Sequence, residues 1–347
     1  MTLCWLLCII GIAGGRRRGI RALPCGQAPY RKAAKVVVLC VPAAGALEAE
    51  YPDVKIARIA ERSGKTCWAA VEADAGSVRR ITAPFERWAP LFSQVGADAL
   101  ELHAQREALA EIRLLAPVPE EGRIFGVGLN YLAHLTRLGR TQAPPHTIGY
   151  IKPQSAIVAP GAQIAYPPVT SQLDFEIELV AVVARPLNEE EQGSNCLLGY
   201  TIGNDISARD AGKQLGVLDL FTQKALDRTA PVGPWITTLD EFGGPGQPEV
   251  DMVMRVNGEV RQQDNTRSML FSIDEILNFI NARVALRTGD VIFTGSTSGV
   301  GLEDGRFLRP GDLLEGSIER IGKLSNRIGE KRQLSPARSA GRLGITL

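Results

Sequence analysis

The sequence predicts a β-rich α+β fold, and three observations carry that prediction. Its 347 residues include 36 glycines and 21 prolines, which favours many turns over long helices. Short apolar or alternating runs recur between clusters of Gly, Asn, Asp and Ser, the pattern of strands joined by tight turns. The helical stretches are few and short, near residues 96–110, 131–138 and 272–281. With 45% hydrophobic and 22% charged residues the chain can bury a substantial core. A net charge of +1 supplies no global field for nucleic acid or an anionic membrane, so a small-molecule partner is expected.

Residues 1–52 show no steady period and are expected to lie outside the fold. Leu3 to Ala13 is apolar but too short to span a bilayer, and Arg16-Arg17-Arg18 follow it, unlike the charges that precede a signal-peptide core. Four of the six cysteines fall within this extension and no Cys-x-x-Cys occurs, which points to a reducing, cytoplasmic setting. From Val54 the text becomes orderly. Val54 to Ile59 and Cys67 to Glu72 pair as a hairpin across Ser63-Gly64, an Ala/Leu/Glu-rich helix follows near 96–110, and Arg113 to Pro119 is a strand running into a linker. Residues 54–118 thus form a small α+β module, and 119–330 a single β-rich domain.

In that larger domain Arg123 to Tyr131 is a buried strand leading into a helix that carries His134, and Lys152 follows in a proline-flanked loop. The Gly126-x-Gly128 pair lacks the third glycine and the acidic residue of a dinucleotide site. Leu173 to Val183 is a strand in which Glu176 and Glu178 point one way while Phe175, Ile177 and Leu179 point the other. Leu197 to Ser207 is a second strand that carries Asp205, with Arg209 and Asp210 after it. Lys224 and Asp227 precede a strand entered through Gly233-Pro234. Asn257-Gly258 between alternating runs marks a hairpin, and Ser272-Ile273-Asp274-Glu275 is a capping box. The glycine-rich loop Thr294 to Gly301 lacks Gly-Lys-Ser/Thr, so it is no nucleotide P-loop. The basic, Pro/Ser-containing stretch 331–347 is expected to be disordered.

Glu176, Glu178 and Asp205 are hard oxygen donors on buried strands, a set that selects Mg²⁺ or Mn²⁺, with Ca²⁺ as a further fit, over zinc. Such an ion leaves positions open for a 2-oxo acid or 1,3-dicarbonyl binding through two adjacent oxygens, and it stabilises the enolate these compounds form. Lys224 and Arg209 add positive charge, and the Thr294–Gly301 loop offers amides and hydroxyls for the acid end.

Together these motifs resemble the fumarylacetoacetate hydrolase (FAH) family over about residues 119–328. They are Asn130-Tyr131-x-x-His134, Asp174-Phe175-Glu176-x-Glu178-Leu179, Gly199-Tyr200-Thr201-x-x-Asn204-Asp205-x-Ser207-x-Arg209-Asp210, Lys224-x-x-Asp227, Gly233-Pro234-Trp235, Val256-Asn257-Gly258-Glu259, and Gly289-Asp290-Val291-Ile292-x-Thr294-Gly295 with Gly299-Val300-Gly301. The resemblance implies a mixed β-sandwich roll, usually a homodimer, with Glu176, Glu178 and Asp205 as metal ligands. It also implies His134, Lys224 and Arg209 as catalytic groups; Lys152, Thr294, Gly295 and Ser296 are the candidates, read from the residues, for contacting the substrate. The implied activity is hydrolysis of a C–C bond in an acylpyruvate-like acid. The alternatives are decarboxylation or keto–enol isomerisation or hydration of a related acid, and a degenerate member that binds without turnover.

Three positions depart from the family pattern. Arg137 stands where hydrolytic members place the Glu that orients the lid histidine, which predicts weakened water activation. Gly212 replaces a frequent Gln, with Gln214 nearby, and Ser296 follows Thr294-Gly295 where Thr is usual.

Overall fold

The computed structural model describes residues 54–61, 64–140, 142–211 and 219–333. The expectations for residues 1–52, for most of 331–347, and for Gly212 and Gln214 fall outside them.

The described chain opens with β1 (Lys55–Ala60), β2 (Thr66–Glu72) and β3 (Ser77–Ile81), then α1 (Phe85–Val95), β4 (Leu102–Ala108) and β5 (Arg113–Leu115). The β1–β2 hairpin forms as expected, with Ile56 opposite Ala70 and Ile59 opposite Cys67. The helix expected near 96–110 is instead α1, one segment earlier, and Leu102–Ala108 is a strand. Its Ala, Leu and Glu content favours a helix, but the segment pairs with β3 and lies mostly exposed at the sheet edge, so tertiary pairing overrides propensity.

Next come β6 (Ile124–Gly128), α2 (Leu132–Arg137), β7 (Ile148–Lys152), β8 (Ile157–Val158), β9 (Gln163–Tyr166), β10 (Leu173–Asp174), β11 (Ile177–Val183), β12 (Leu197–Asn204) and β13 (Ser207–Ala208). They are followed by α3 (Leu220–Lys224), β14 (Ala230–Thr238), β15 (Asp251–Val256), β16 (Glu259–Asn265), α4 (Ile273–Asn281), β17 (Val291–Phe293), α5 (Gly301–Asp304), β18 (Leu313–Ile318) and β19 (Gly322–Lys331). Asn257 and Gly258 both take positive φ in the β15–β16 turn, and Ser272 with Glu275 forms the capping box on α4.

Among the described residues the large sheet runs β4-β3-β2-β1-β14-β12-β11-β17-β6-β7, with β5 on β1 and β8 on β14. The lead-in strands join it through β1, where Lys55 faces Thr237 and Ile56 faces Ile236 of β14. A second sheet runs β16-β15-β18-β19-β9, and β10 pairs with β13 alone. One core lies between the two sheets, joining Phe175, Ile177, Leu179 and Ile202 to Met252, Met254, Leu314 and Ile328, with α4 closing one end. On the opposite face of the large sheet Phe85, Trp88 and Phe92 of α1 cover Val180, Val182 and Phe293. This is the mixed β-sandwich roll that the resemblance implied, and the pleat of β11 sends alternate residues to the two cores. Among the described residues no helix is long and apolar enough to cross a membrane.

Candidate metal centre and active site

The stretch Leu173–Val183 is two strands, interrupted at Phe175 and Glu176. Side chains take over the freed N–H groups there: Glu176 donates to Asn204 Oδ1 at 2.9 Å and Ile177 to Gln262 Oε1 at 3.0 Å. Asp205 leaves β12 one residue past its end and donates its N–H to the Glu176 carbonyl at 2.8 Å. The interruption thus brings Glu176 and Asp205 onto one patch beside Glu178. Ligand oxygens of all three buried residues lie within 4.8 Å of one another, among the described residues the one such cluster of metal-binding types.

Cations surround the cluster. Lys224, in the last turn of α3, donates to Asp205 Oδ2 at 2.5 Å and to Glu176 Oε2. Arg209 donates through Nη2 to Glu176 Oε1 at 2.5 Å and through Nε to Asp174 Oδ2 at 2.8 Å. Burial alone would push the Glu176 carboxyl up, but Arg209 and then Lys224 outweigh it and hold it far below the usual range. Asp205 is likewise held low against burial, by Lys152 and Lys224. Glu178 goes the other way: burial, then the charges of Asp205 and Glu176, raise it well above an ordinary carboxyl. The three crowded carboxylates thus pull apart in acidity, Glu178 upward and the other two downward, as close like charges do when they share a site. Three hard oxygens converging in a buried, cation-compensated site fit a divalent metal.

Glu176 and Glu178 of the triad open onto a cavity of about 320 Å³. Glu176, Glu178, Arg209, Lys224, Ser296 and His134 line it, along with an apolar wall that includes Val127, Leu138 and Leu302. Of the loop residues Thr294, Gly295 and Ser296, only Ser296 lines the cavity. The Thr294 hydroxyl donates to the Leu179 carbonyl, and the Gly295 N–H holds Glu178 Oε2 at 2.7 Å, so both secure β11 instead. Lys152 does not line the cavity; wholly buried, it donates to Asp205 Oδ1 at 2.7 Å and to the Lys224 carbonyl at 2.6 Å. Asp227 accepts from the Ser155 hydroxyl, away from the cavity lining.

His134 has a carboxylate partner after all. Its Nδ1 lies 2.8 Å from Glu303 Oε1, whose other oxygen accepts the Gly299 N–H at 2.8 Å. Arg137, three residues past His134, is exposed and does not line the cavity. The expectation that the imidazole lacks an orienting acid is therefore corrected: Glu303 of α5 provides it from 169 positions away. Because a carboxylate accepts only, Nδ1 carries the proton and Nε2 of neutral imidazole keeps its lone pair.

Sequence reading also missed Tyr150. Its hydroxyl donates to Asp205 Oδ2, and the Lys224 ammonium sits 5.4 Å above its ring. Gly126 makes room for that ring, since a Cβ there would lie 2.3 Å from it.

A buried carboxylate triad ringed by cations, beside a cavity that the Glu303-bound His134 also lines, makes a site suited to an organic acid. Comparison with known proteins agrees. Residues 123–329 match the family model described as fumarylacetoacetate (FAA) hydrolase C-terminal. The chain belongs to the fumarylacetoacetate hydrolase family. It is 36% identical to oxaloacetate tautomerase YisK of Bacillus subtilis over 236 residues, 66% of this chain and 77% of that one. It is 31% identical to 2,4-didehydro-3-deoxy-L-rhamnonate hydrolase of Sphingomonas sp., over 69% of this chain and 83% of that one. The crystal structure of 2-hydroxyhepta-2,4-diene-1,7-dioate isomerase from Mycobacterium marinum superposes with a TM-score of 0.65 at 31% identity, covering 81% of this chain and 100% of that one. The family's named activities thus include hydrolases, isomerases and tautomerases of organic acids.

Proposed function

We propose that this protein is a Mg²⁺- or Mn²⁺-dependent hydrolase that cleaves a C–C bond in a small acylpyruvate-like 2-oxo acid. The observation that carries the reading is His134, held by Glu303, on the same cavity as Glu176 and Glu178. Glu176, Glu178 and Asp205 hold the cation, which when bound polarises the adjacent oxygens of the acid. Lys224 and Arg209 draw the anionic substrate toward the triad, and the apolar wall limits access of bulk water. Glu303 holds Nδ1–H, so Nε2 of His134 takes the proton from an attacking water and returns it to the departing carbon.

A keto–enol isomerase is the second reading, favoured by the 36% identity to an oxaloacetate tautomerase. The same imidazole then moves a proton between carbon and oxygen of one substrate, with no water consumed. The test incubates the protein and Mn²⁺ with an acylpyruvate and, separately, with enol-oxaloacetate. Pyruvate release that Glu176→Ala abolishes and Glu303→Gln lowers by about 10²-fold supports hydrolysis. Conversion of enol to keto form without fragments rejects hydrolysis in favour of the isomerase. Turnover unchanged in Glu176→Ala rejects both.

A further inference from the structure

Asp174 is fully buried and belongs neither to the triad nor to the cavity wall. Four donors nonetheless converge on it. Oδ1 accepts the N–H of Phe175 at 3.0 Å and of Gly301 at 2.6 Å, while Oδ2 accepts Arg209 Nε at 2.8 Å and the N–H of Leu302 at 3.0 Å. These donors belong to two different parts of the site. Arg209 continues to Glu176, a triad member. Gly301 and Leu302 open α5, whose next residue, Glu303, holds His134.

We propose that Asp174 is a positioning residue that keeps Glu303, and through it His134, in register with Arg209 and the carboxylate triad. The inference rests on the reading above, in which His134 moves the proton. A simple helix cap is the competing account, and it makes a different demand. A cap works about as well with Asn as with Asp. Here an amide fails, because whichever way it turns its NH₂ faces one pair of N–H donors. The approach of α5 is also close, since a Cβ on Gly301 would lie 2.8 Å from Asp174 Oδ1 and 2.6 Å from the Arg306 carbonyl. Glycine at 301 thus lets the turn dock on the carboxylate.

The test compares wild type, Asp174→Asn, Glu303→Gln and Gly301→Ala. Gly301→Ala disturbs the same contact from the α5 side, so the inference stays testable should Asp174→Asn not fold. Two readouts need no turnover: the downfield proton resonance of the hydrogen-bonded His134 Nδ1–H in protein with ¹⁵N-labelled histidine, and Mn²⁺ binding by calorimetry. Asp174→Asn and Gly301→Ala are expected to lose or broaden the resonance, as Glu303→Gln does, with the Mn²⁺ Kd within about twofold of wild type. On the acid the wild type turns over, Asp174→Asn should lower kcat by about 10²-fold with KM little changed. Added to Glu303→Gln, it should lower kcat by less than about twofold more, because the two act in series. An unaltered resonance in a folded variant, multiplying effects on kcat, or loss of Mn²⁺ binding together with activity would each overturn the proposal. If the wild type processes no 2-oxo acid, the functional reading falls, while the resonance still decides the part of Asp174.

Discussion

Two carboxylates of the triad, Asp205 and Glu178, differ in what holds them, so replacing each should have a different effect on the protein in the absence of a divalent ion. Asp205 neutralises Lys152, whose side chain is wholly buried, and accepts from Lys224 and Tyr150 as well. Asp205→Asn leaves a buried ammonium without its counterion, a change that typically costs about 3–5 kcal/mol. Glu178 is the opposite case. Its folded carboxyl titrates well above the ordinary value, through burial and then the charges of Asp205 and Glu176. A carboxyl raised in the folded state loses stability as pH rises above its unfolded value of about 4.3, because the unfolded chain ionises first. Glu178→Gln keeps an acceptor for the Gly295 N–H and removes that titration, so near pH 7 it should be neutral or stabilising in EDTA. Both variants should lose Mn²⁺ binding. Urea denaturation in EDTA, with calorimetry for Mn²⁺, measures the contrast. Equal stability losses in the two variants would refute the assignment of the buried charge to Asp205 and of the raised carboxyl to Glu178.

Other outcomes follow from contacts away from the triad. Asn130, itself fully buried, donates to the carbonyls of Thr294 at 2.8 Å and Phe271 at 3.2 Å and accepts the Phe271 N–H at 2.8 Å. Asn130→Ala should therefore destabilise by roughly 2–4 kcal/mol in urea melts, since three backbone groups lose their partner. Gly126→Ala should push Tyr150 off Asp205 and weaken Mn²⁺ binding, read by calorimetry. At the surface, Arg185 donates to both oxygens of Glu191, at 2.5 and 2.7 Å, and holds it at about 2. That pair stabilises fully above about pH 4.3 and is lost as pH falls toward 2, so Glu191→Gln should flatten the acid limb by about 1 kcal/mol after solvent screening.

What could be read along the chain was whatever depends on near neighbours. A two-residue period puts Glu176 and Glu178 on one side, Asn257-Gly258 demands a tight hairpin, and Ser272 with Glu275 caps a helix; each is settled within a few residues. The motif series, taken in order, was enough to place the family and to bring Asp205 to the two glutamates. The segment 102–108 shows where local reading ends, because its composition favours a helix and only the free edge of β3 makes it a strand. Glu303 shows it more sharply. Nothing in a lone acidic residue states which histidine it meets 169 positions away, and the local signal pointed to Arg137 instead. The same holds for Lys152, which lies behind Asp205 rather than toward the cavity, and for Asp174, whose four donors come from separate stretches. Residue type and spacing set which groups are available and which way a strand turns them. Which charges meet, and which carboxyl is pushed up while its neighbours are held low, was decided by packing, since burial and partner distance are properties of the folded chain.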